Sequence, residues 1–557
     1  MYNRYKTIVK QFLQRHGLTA ACWAAIIANV LFVLFFFHQK NVYEIDEIYS
    51  FAHANSTHGA FLVPGVTAEV SYDIYEKYLF NRWHPGSLFH TWITVQPHEA
   101  FRYGHIVDNL KVGVHPPLFY ILLHTICSFT PDVISKWQGA VLNIPLWLLL
   151  LWMLFGLAKL FFKDSFYAWC AVLLYAYSEV GLDTVLFIRG YLLQTLLAVC
   201  LVTQVTRLLQ ENKADIWRYV YIGVFATLGM LTHYNSLVFM ALVGLVAGGI
   251  LCYRKKWQLC WRLGLTLAVS GCLLIVLFPP AIDVLITSCR GKEAFARYTP
   301  SVLTLLSKMD LKLLVNDYLT RFWQLPWHCW FLFCEIAMVI IGYKYLKTKQ
   351  DRLVDWLLCL AVAVKVYAIF TMPPMGAYEI RYTLLIYPLV SLVTVWYLRF
   401  VLGFFVRRPR EKWTKWAVGV LVFINAWGIG SFTRISPFAL HADFPLPTDQ
   451  FTNQRVIVEG GPLVFCLAEF LAKAKEVYWI RPDTRVEDFA DALNGADSFL
   501  KRRSQRWEGS LLHPLQQDKW LNPIFQSKLE WVSQFRAGPQ QVTFDQYVIV
   551  KDDGENP

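Results

Sequence analysis

LTAACWAAIIANVLFVLFFFH, residues Leu18 to His38, is an apolar run free of Asp, Glu, Lys and Arg, and the acidic stretch Asp46-Glu47-Ile48-Tyr49-Ser50 follows shortly after it. The run matches the roughly 20 residues a helix needs to cross a bilayer. Carboxylates are costly inside hydrocarbon, so Asp46 and Glu47 belong at or just above the membrane surface. Neighbours at i and i+1 on a helix point about a hundred degrees apart, so only one of the pair can face a given site. Asp46 is the candidate to face it, with Glu47 holding a partner or facing water. The plainer reading is that both acids cap a helix that starts here and sit in the field of its N-terminal dipole.

The rest of the chain supports a membrane setting. Of 557 residues 56% are hydrophobic and only 17% charged, with a mean hydropathy of +0.38. That is more apolar surface than a soluble protein of this size needs, and the composition predicts a polytopic α-helical membrane protein. A net charge of +12 would fit a nucleic-acid partner if it were concentrated. It is instead dispersed in short clusters between apolar runs, as the positive-inside rule expects, so no nucleic-acid partner is expected. The cysteines are scattered without a CxxC pair and read as small core residues, forming neither a disulfide framework nor a metal site. Arg4, Lys6, Lys10 and Arg15 precede the first run, which ends without a small-residue cleavage site. This predicts an uncleaved signal anchor with a cytoplasmic N-terminus.

Further apolar runs lie near 138–162, 165–181, 188–209, 216–232, 234–253, 260–280, 327–346, 353–371, 381–403 and 414–432. Between the first run and these lies a polar stretch, 39–137, rich in His, Trp and Tyr and too long for a turn. It contains His115-Pro116-Pro117 and a short apolar segment after it, Leu118 to Phe129. If that segment spans, the basic clusters from Lys159 onward fall outside the cell. If it only dips into the outer interface, the clusters at Lys159/Lys163, Arg207/Arg218, Arg254-Lys255-Lys256, Lys344 to Arg352 and Arg407 to Lys415 all fall inside, and about eleven spans result. The second topology is preferred. The expected architecture is an all-α helical domain, 1–432, with about 11–13 transmembrane helices and a first outer loop at 39–137. Residues 433–557 change character: Val456 to Val458, Glu476 to Ile480 and Gln541 to Val550 read as strands, and Gly461 to Ala474 and Thr484 to Arg503 as helices. A small extracytoplasmic α/β domain is expected there. The sequence contains no internal repeat and no Gly-rich phosphate loop.

In this topology the polar residues at outer span ends are of one kind: Arg189-Gly190-Tyr191, Thr232-His233-Tyr234 and Glu379-Ile380-Arg381-Tyr382. Cations and phenols at span ends often only anchor the interface. Their coincidence on the side of Asp46 favours a shared anionic ligand, and a guanidinium suits phosphate because its planar fork donates two hydrogen bonds at fixed charge. Arg290, Lys292 and Arg297 in the loop 281–326 are further phosphate contacts or solvated charges.

The acidic pair after the first span, His115-Pro116-Pro117-Leu118-Phe119-Tyr120, the Arg-Gly-Tyr and Thr-His-Tyr turns, and Arg381-Tyr382-Thr383-Leu384-Leu385-Ile386-Tyr387-Pro388 together resemble the GT-C glycosyltransferases over residues 15–435. The resemblance is nearest to the family 39 branch, which holds protein O-mannosyltransferases and lipid A aminoarabinose transferases. It implies a polyprenyl-phosphate-linked sugar as donor, a first-loop carboxylate, here Asp46, as base, and a glycan, lipid or protein as acceptor. The aminoarabinose branch has an acidic residue and a Lys before the proline; Val114 and His115 stand there in this chain.

The reaction so implied is inverting glycosyl transfer at the outer face of the cell membrane. Asp46 takes the proton of the acceptor hydroxyl, with Glu47 beside it. Arg381, Arg189, His115, His233, Tyr191, Tyr234, Tyr382 and Lys292 are the candidates to hold the donor phosphate as it leaves. No cofactor is required; a divalent cation on the acidic pair is optional. The alternatives are a multispan transporter or lipid flippase, which should carry mid-span charges such as Lys365 and internal repeats, and a scaffold whose C-terminal domain is the working part.

Overall fold

The computed structural model describes residues 2–40, 43–57, 79–111, 115–211, 215–286, 353–371, 377–405, 411–430, 451–460, 462–481, 484, 488–502, 529–537 and 542–549. Its longer helices are α1 (Tyr2–Gln39), α2 (Ile45–Asn55), α3 (Gly86–Ile93), α4 (Gly104–Lys111), α5 (Leu118–Cys127), α6 (Lys136–Phe162), α7 (Ser165–Ala176), α8 (Glu179–Leu186), α9 (Tyr191–Gln210), α10 (Ile216–Thr232), α11 (Asn235–Tyr253), α12 (Trp257–Leu277), α13 (Val354–Thr371), α14 (Tyr387–Phe405) and α15 (Glu411–Gly430). The strands are β1 (Trp83–Pro85), β2 (Arg455–Glu459), β3 (Glu476–Ile480), β4 (Ser498–Arg502), β5 (Leu529–Ala537) and β6 (Val542–Ile549). They fall into two compact units: Met1–Phe37 with Ala140–Ser436, and His38–Gly139 with Pro437–Pro557. The sequence predicts the first outer loop with the helices and a boundary at residue 432; the described residues of that loop cluster with those of the C-terminal segment.

The first unit is helical. Among the described residues six helices are long and apolar enough to cross a membrane: Ala20–Gln39, Lys136–Phe162, Tyr191–Gln210, Asn235–Tyr253, Trp257–Leu277 and Arg381–Leu402. The protein is therefore a multi-pass membrane protein. Three of the expected spans are shorter: α7, α10 and the apolar part of α13, Val354–Val364. The run 165–181 is not one span, because α7 ends at Ala176 with Tyr177 as its C-cap, and Ser178 caps a new helix by accepting the Gly181 N–H. The run 381–403 opens as a 3₁₀ segment, Ala377–Ile386, before α14 begins. The expected span at 327–346 lies outside the described residues.

Helix α9 is the centre of this unit, with 94% of its apolar window buried. Buried hydroxyls are tolerated there because each donates to a carbonyl one turn back: Thr195 to Tyr191 O, Thr203 to Val199 O and Thr206 to Val202 O, all at 2.7 Å. The two ends of the bundle differ. At the end where α9 finishes, Arg218 pairs with Glu211 at 2.8 Å, Arg254 with Asp355 at 3.4 Å and with Leu209 O at 3.1 Å, and Lys415 with Asp164 at 2.7 Å. This end also carries the exposed rings of Trp217, Tyr253, Trp257, Trp413 and Trp416. The helices' other ends carry Arg189, Tyr191, His233, Tyr234, Arg381 and Tyr382.

The second unit holds a six-stranded sheet in the order β1-β3-β2-β4-β6-β5. Strands β3, β2 and β4 are parallel, β6 runs antiparallel to β4, and β5 runs antiparallel to β6. Strand β1 comes from the first loop and pairs antiparallel with β3, His84 opposite Val477. In β2 and β3 four consecutive residues are buried, as in strands covered on both faces. Ile457, Tyr478, Phe499 and Tyr547 share one core with Phe489 and Leu493. On the opposite face Trp479 meets Phe80 and Phe465 at 5.2 and 5.1 Å. The sequence reading found β2, β3 and β6 but missed β1, β4 and β5. It read a helix over 484–503, where the described residues hold Ala490–Gly495 and then β4; its helix over 461–474 is a 3₁₀ turn, Pro462–Leu467, and a single α turn, Ala468–Leu471.

Candidate functional site

Helix α2 is fastened at both ends within the second unit. At its start Glu44 is the N-cap and its carboxylate accepts the Asp46 N–H, while Glu47 at the N3 position accepts the Glu44 N–H at 2.8 Å. This reciprocal pair is a capping box, and all three acids lie where the helix dipole favours negative charge. Glu47 is fully buried, its carboxylate 2.8 Å from the ammonium of Lys40, itself 1% exposed. Lys136 donates to His38 O and Lys40 O, both at 2.6 Å, and so fixes the chain leading into α2. At the far end Asn55 donates to Ile93 O at 3.0 Å, Asn109 to His53 O and Ser56 O at 3.1 and 2.7 Å, and His105 to Ala54 O at 2.9 Å.

Between these fastenings only Asp46, Tyr49 and His53 of α2 are not buried. Their spacing, i, i+3 and i+7, puts them on one face of the helix. Along that face Tyr49 stacks on His53 at 6.0 Å, His53 meets Tyr120 edge-on at 5.7 Å, and Tyr120 lies 6.4 Å from the ring of His115. Phe465 of the C-terminal segment buttresses Tyr49 at 6.0 Å. The acidic pair is thus divided by its surroundings: Glu47 holds the helix, and Asp46 shares an open aromatic face. Behind α2, burial pushes the Tyr43 phenol well up, reinforced by Glu469 and Glu47, and burial also raises the Glu469 carboxyl against the pull of Lys473 and Lys136.

A second group assembles in the helical unit. Asn143 of α6 donates to Val185 O and Phe187 O at 2.9 and 3.1 Å and so sets the turn that delivers Arg189, which is 5% exposed. Tyr191, the first residue of α9, stacks on Phe187 at 5.7 Å with the planes 8° apart. Its ring lies 5.2 Å from His233 and 6.2 Å from Tyr382, and His233 lies 6.2 Å from Tyr382. The guanidinium of Arg381 stands 5.3 Å over the Tyr382 ring. His233 Nδ1 accepts the Asn235 N–H at 3.1 Å, which makes Nε2 the protonated ring nitrogen of the neutral form. Residues distant in sequence therefore meet at one end of the bundle, where the Arg381 guanidinium, an imidazole and two phenols, groups able to donate hydrogen bonds to an anion, lie together.

Of the sequence candidates, Tyr191, His233, Tyr382 and Arg381 are brought together, and Arg189 precedes Tyr191 in the same turn. Tyr234 is the N-cap of α11 and shares no ring contact with them. His115 lies in the other unit, linked through Tyr120 to the face of α2. Lys292, with Arg290 and Arg297, lies outside the described residues. Sequence reasoning does not single out Lys40, Glu44, Asn143 or Asp183, the last a buried acid on α8, the helix that precedes Arg189. The Glu44-x-x-Glu47 spacing carried the cap signal; nothing local marks Lys40 or Asn143.

No family model matches the chain, and no curated protein matches it in sequence. Among solved structures, ArnT from Cupriavidus metallidurans in the apo state aligns with 95% of this chain and 98% of its own at 14% identity, TM-score 0.47. The same protein bound to undecaprenyl phosphate aligns with 96% of this chain and 99% of its own at 13% identity, TM-score 0.45. The archaeal oligosaccharyltransferase AglB from Archaeoglobus fulgidus, in complex with an inhibitory peptide and a dolichol-phosphate, aligns with 88% of this chain and 70% of its own at 9% identity, TM-score 0.45.

Proposed function

We propose that the chain is an inverting membrane glycosyltransferase that moves a sugar from a polyprenyl-phosphate donor to a hydroxyl of a glycolipid, glycan or protein. The observation that carries the reading is the division of the acidic pair. Glu47 is fully buried in the cap and its ion pair, whereas Asp46 is only partly buried and lies beside Tyr49 and His53 on one face of a helix fixed at both ends. A base for proton transfer needs that combination of access and fixed position.

In this mechanism the acceptor oxygen attacks the anomeric carbon from the side opposite the phosphate and gives its proton to Asp46. The bond from that carbon to the phosphate oxygen breaks, its electron pair leaves with the lipid phosphate, and the configuration inverts. Arg381 and Arg189 stabilise the charge that grows on the departing phosphate, with His233 Nε2–H, Tyr191 and Tyr382 as further donors. Lipid phosphate is a good leaving group without protonation, so the cations need supply only electrostatic stabilisation. The positive-inside rule assigns the end bearing Arg218, Arg254 and Lys415 to the cytoplasm, and hence Arg189, His233 and Arg381 to the outer face, where a lateral lipid donor and a hydrophilic acceptor can both arrive.

The test is mass spectrometry of envelope glycolipids and glycoproteins from cells with the wild-type chain, without it, and with Asp46→Asn. A sugar modification present only with the wild type supports the reading. A phenotype of the null strain that Asp46→Asn fully restores overturns it in favour of transport or scaffolding.

A further inference from the structure

Helices α11 and α12 form a hairpin whose connection is unusually well fixed. Arg254 N–H donates to Ile250 O at 3.0 Å, Lys255 N–H to Cys252 O at 2.9 Å and Lys256 N–H to Leu251 O at 2.8 Å, with Lys255 in the left-handed region at φ 56°. The turn locks the last residues of α11 against the first turn of α12. Above it, α11 offers α12 a small-residue stripe, Gly244, Gly248 and Cys252, spaced one turn apart. A Cβ on Gly244 would stand 2.4 Å from Leu267 and one on Gly248 3.7 Å from Cys260 Sγ, so the glycines set how closely the helices approach. Because of that approach Cys260 Sγ reaches Gly248 O at 3.6 Å and lies 3.3 Å from Cys252 Sγ. Both cysteines are half-buried, at the bundle end that carries the exposed rings of Tyr253 and Trp257.

Two thiols in contact across a rigid turn behave differently from an isolated one. A disulfide needs its sulfurs at roughly 2.0 Å, a closure within reach of small side-chain rotations here because the backbone already brings the sulfurs together. We propose that Cys252 and Cys260 are a redox-reversible dithiol that closes to an intramolecular disulfide under peroxide and reopens under reductant. The reaction balances as two thiols and one hydrogen peroxide giving one disulfide and two waters. One sulfur attacks the peroxide and becomes a sulfenic acid with loss of the first water; the second sulfur then displaces the hydroxyl as the second water, its proton and that of the first thiol being taken up by the oxygens. In a reducing cytoplasm the pair rests as two thiols. The site is independent of the proposed transfer chemistry.

The exposed Cys272 lies on the same helix and serves as the internal control for a single thiol. Full-length protein in detergent is treated with hydrogen peroxide or left reduced, alkylated with iodoacetamide, digested and analysed by mass spectrometry. The expected result is joint loss of alkylation at Cys252 and Cys260, a linked peptide lighter by two hydrogens, full recovery with dithiothreitol, and no link at Cys272. Phenylarsine oxide, which condenses with two thiols to release one water, should protect the same two residues without any oxidant. Cys260→Ser should leave Cys252 a single thiol that peroxide takes to a dimedone-reactive sulfenic acid. If Cys252 and Cys260 lose alkylation independently, link to other cysteines or to a second copy, or remain alkylated while arsenical protection fails, the proposal is overturned.

Discussion

Glu47→Gln separates the two acids of α2 most sharply. The amide keeps the shape of Glu47 and can still accept the Glu44 N–H, so the capping box survives, but the Lys40 ammonium is left without its counter-charge in a site where both side chains are at most 1% exposed. Removing one partner of a buried ion pair costs about 3–5 kcal/mol, because the remaining charge is desolvated without compensation. Lys40→Met combined with Glu47→Gln removes that charge as well, and should recover most of the loss, leaving on the order of 1 kcal/mol for altered packing. Asp46→Asn should change stability by no more than about 1 kcal/mol, the worth of a charge in the first turn of a helix, while lowering transfer by roughly 10²- to 10⁴-fold, the contribution of a general base. The assay is thermal unfolding of the purified protein in detergent, followed by limited proteolysis of the first loop, in parallel with envelope mass spectrometry. The assignment fails if Glu47→Gln unfolds like wild type but is inactive, or if Asp46→Asn proves as destabilised as Glu47→Gln.

Other consequences are open to similar measurement. Arg381→Lys keeps the charge but loses the planar fork, and should slow transfer by about tenfold or more without changing the melting profile, since bidentate phosphate geometry is lost; an unchanged rate would remove Arg381 from the phosphate site. Asn143→Leu deletes the donors to Val185 O and Phe187 O and should cost roughly 1–3 kcal/mol for the two buried carbonyls, with slower transfer from a misplaced Arg189. Burial, aided by the adjacent His105, lowers the His124 imidazole to about 4. The unfolded chain then binds more protons than the folded one between about pH 6.5 and 4, so stability falls as pH drops through that window, by on the order of 1–3 kcal/mol after solvent screening. His124→Gln should flatten the acid limb of a melting-temperature profile, and an unaltered limb would refute the assignment. Gly86→Ala would put a Cβ 2.0 Å from Ala474 O and 2.8 Å from Leu471 O, both backbone atoms; a loss of about 1–3 kcal/mol is expected, seen as faster proteolysis of the C-terminal segment.

What the sequence disclosed and what it concealed have a common physical origin. Spans were legible because apolarity over about 20 residues is a local property; the reading failed at a local break such as the Tyr177-Ser178 cap, which interrupts a run without changing its hydropathy. Strands β2 and β3 were legible because their β-branched and aromatic residues are concentrated. Strand β4, Ser-Phe-Leu-Lys-Arg, was not: its partners are β2, more than forty residues earlier, and β6, more than forty later, so what makes it a strand lies outside any window around it. Strand β1 was less visible still, since three residues of the first loop become a strand only against β3. The same reasoning applies to the site. Tyr191, His233, Arg381 and Tyr382 could be grouped beforehand because each lies at the end of an apolar run, and alternation of spans already sorts such ends by membrane side. Helix geometry allowed Asp46 and Glu47 to be divided, but it left Glu47 either holding a partner or facing water, because that partner is Lys40, whose ammonium is recruited by burial and not by any spacing that helix geometry would have flagged. A pair of adjacent carboxylates thus keeps part of its ambiguity in sequence until the position of one buried cation is known, and replacing that cation should most directly expose which of the two acids is the one that holds the helix.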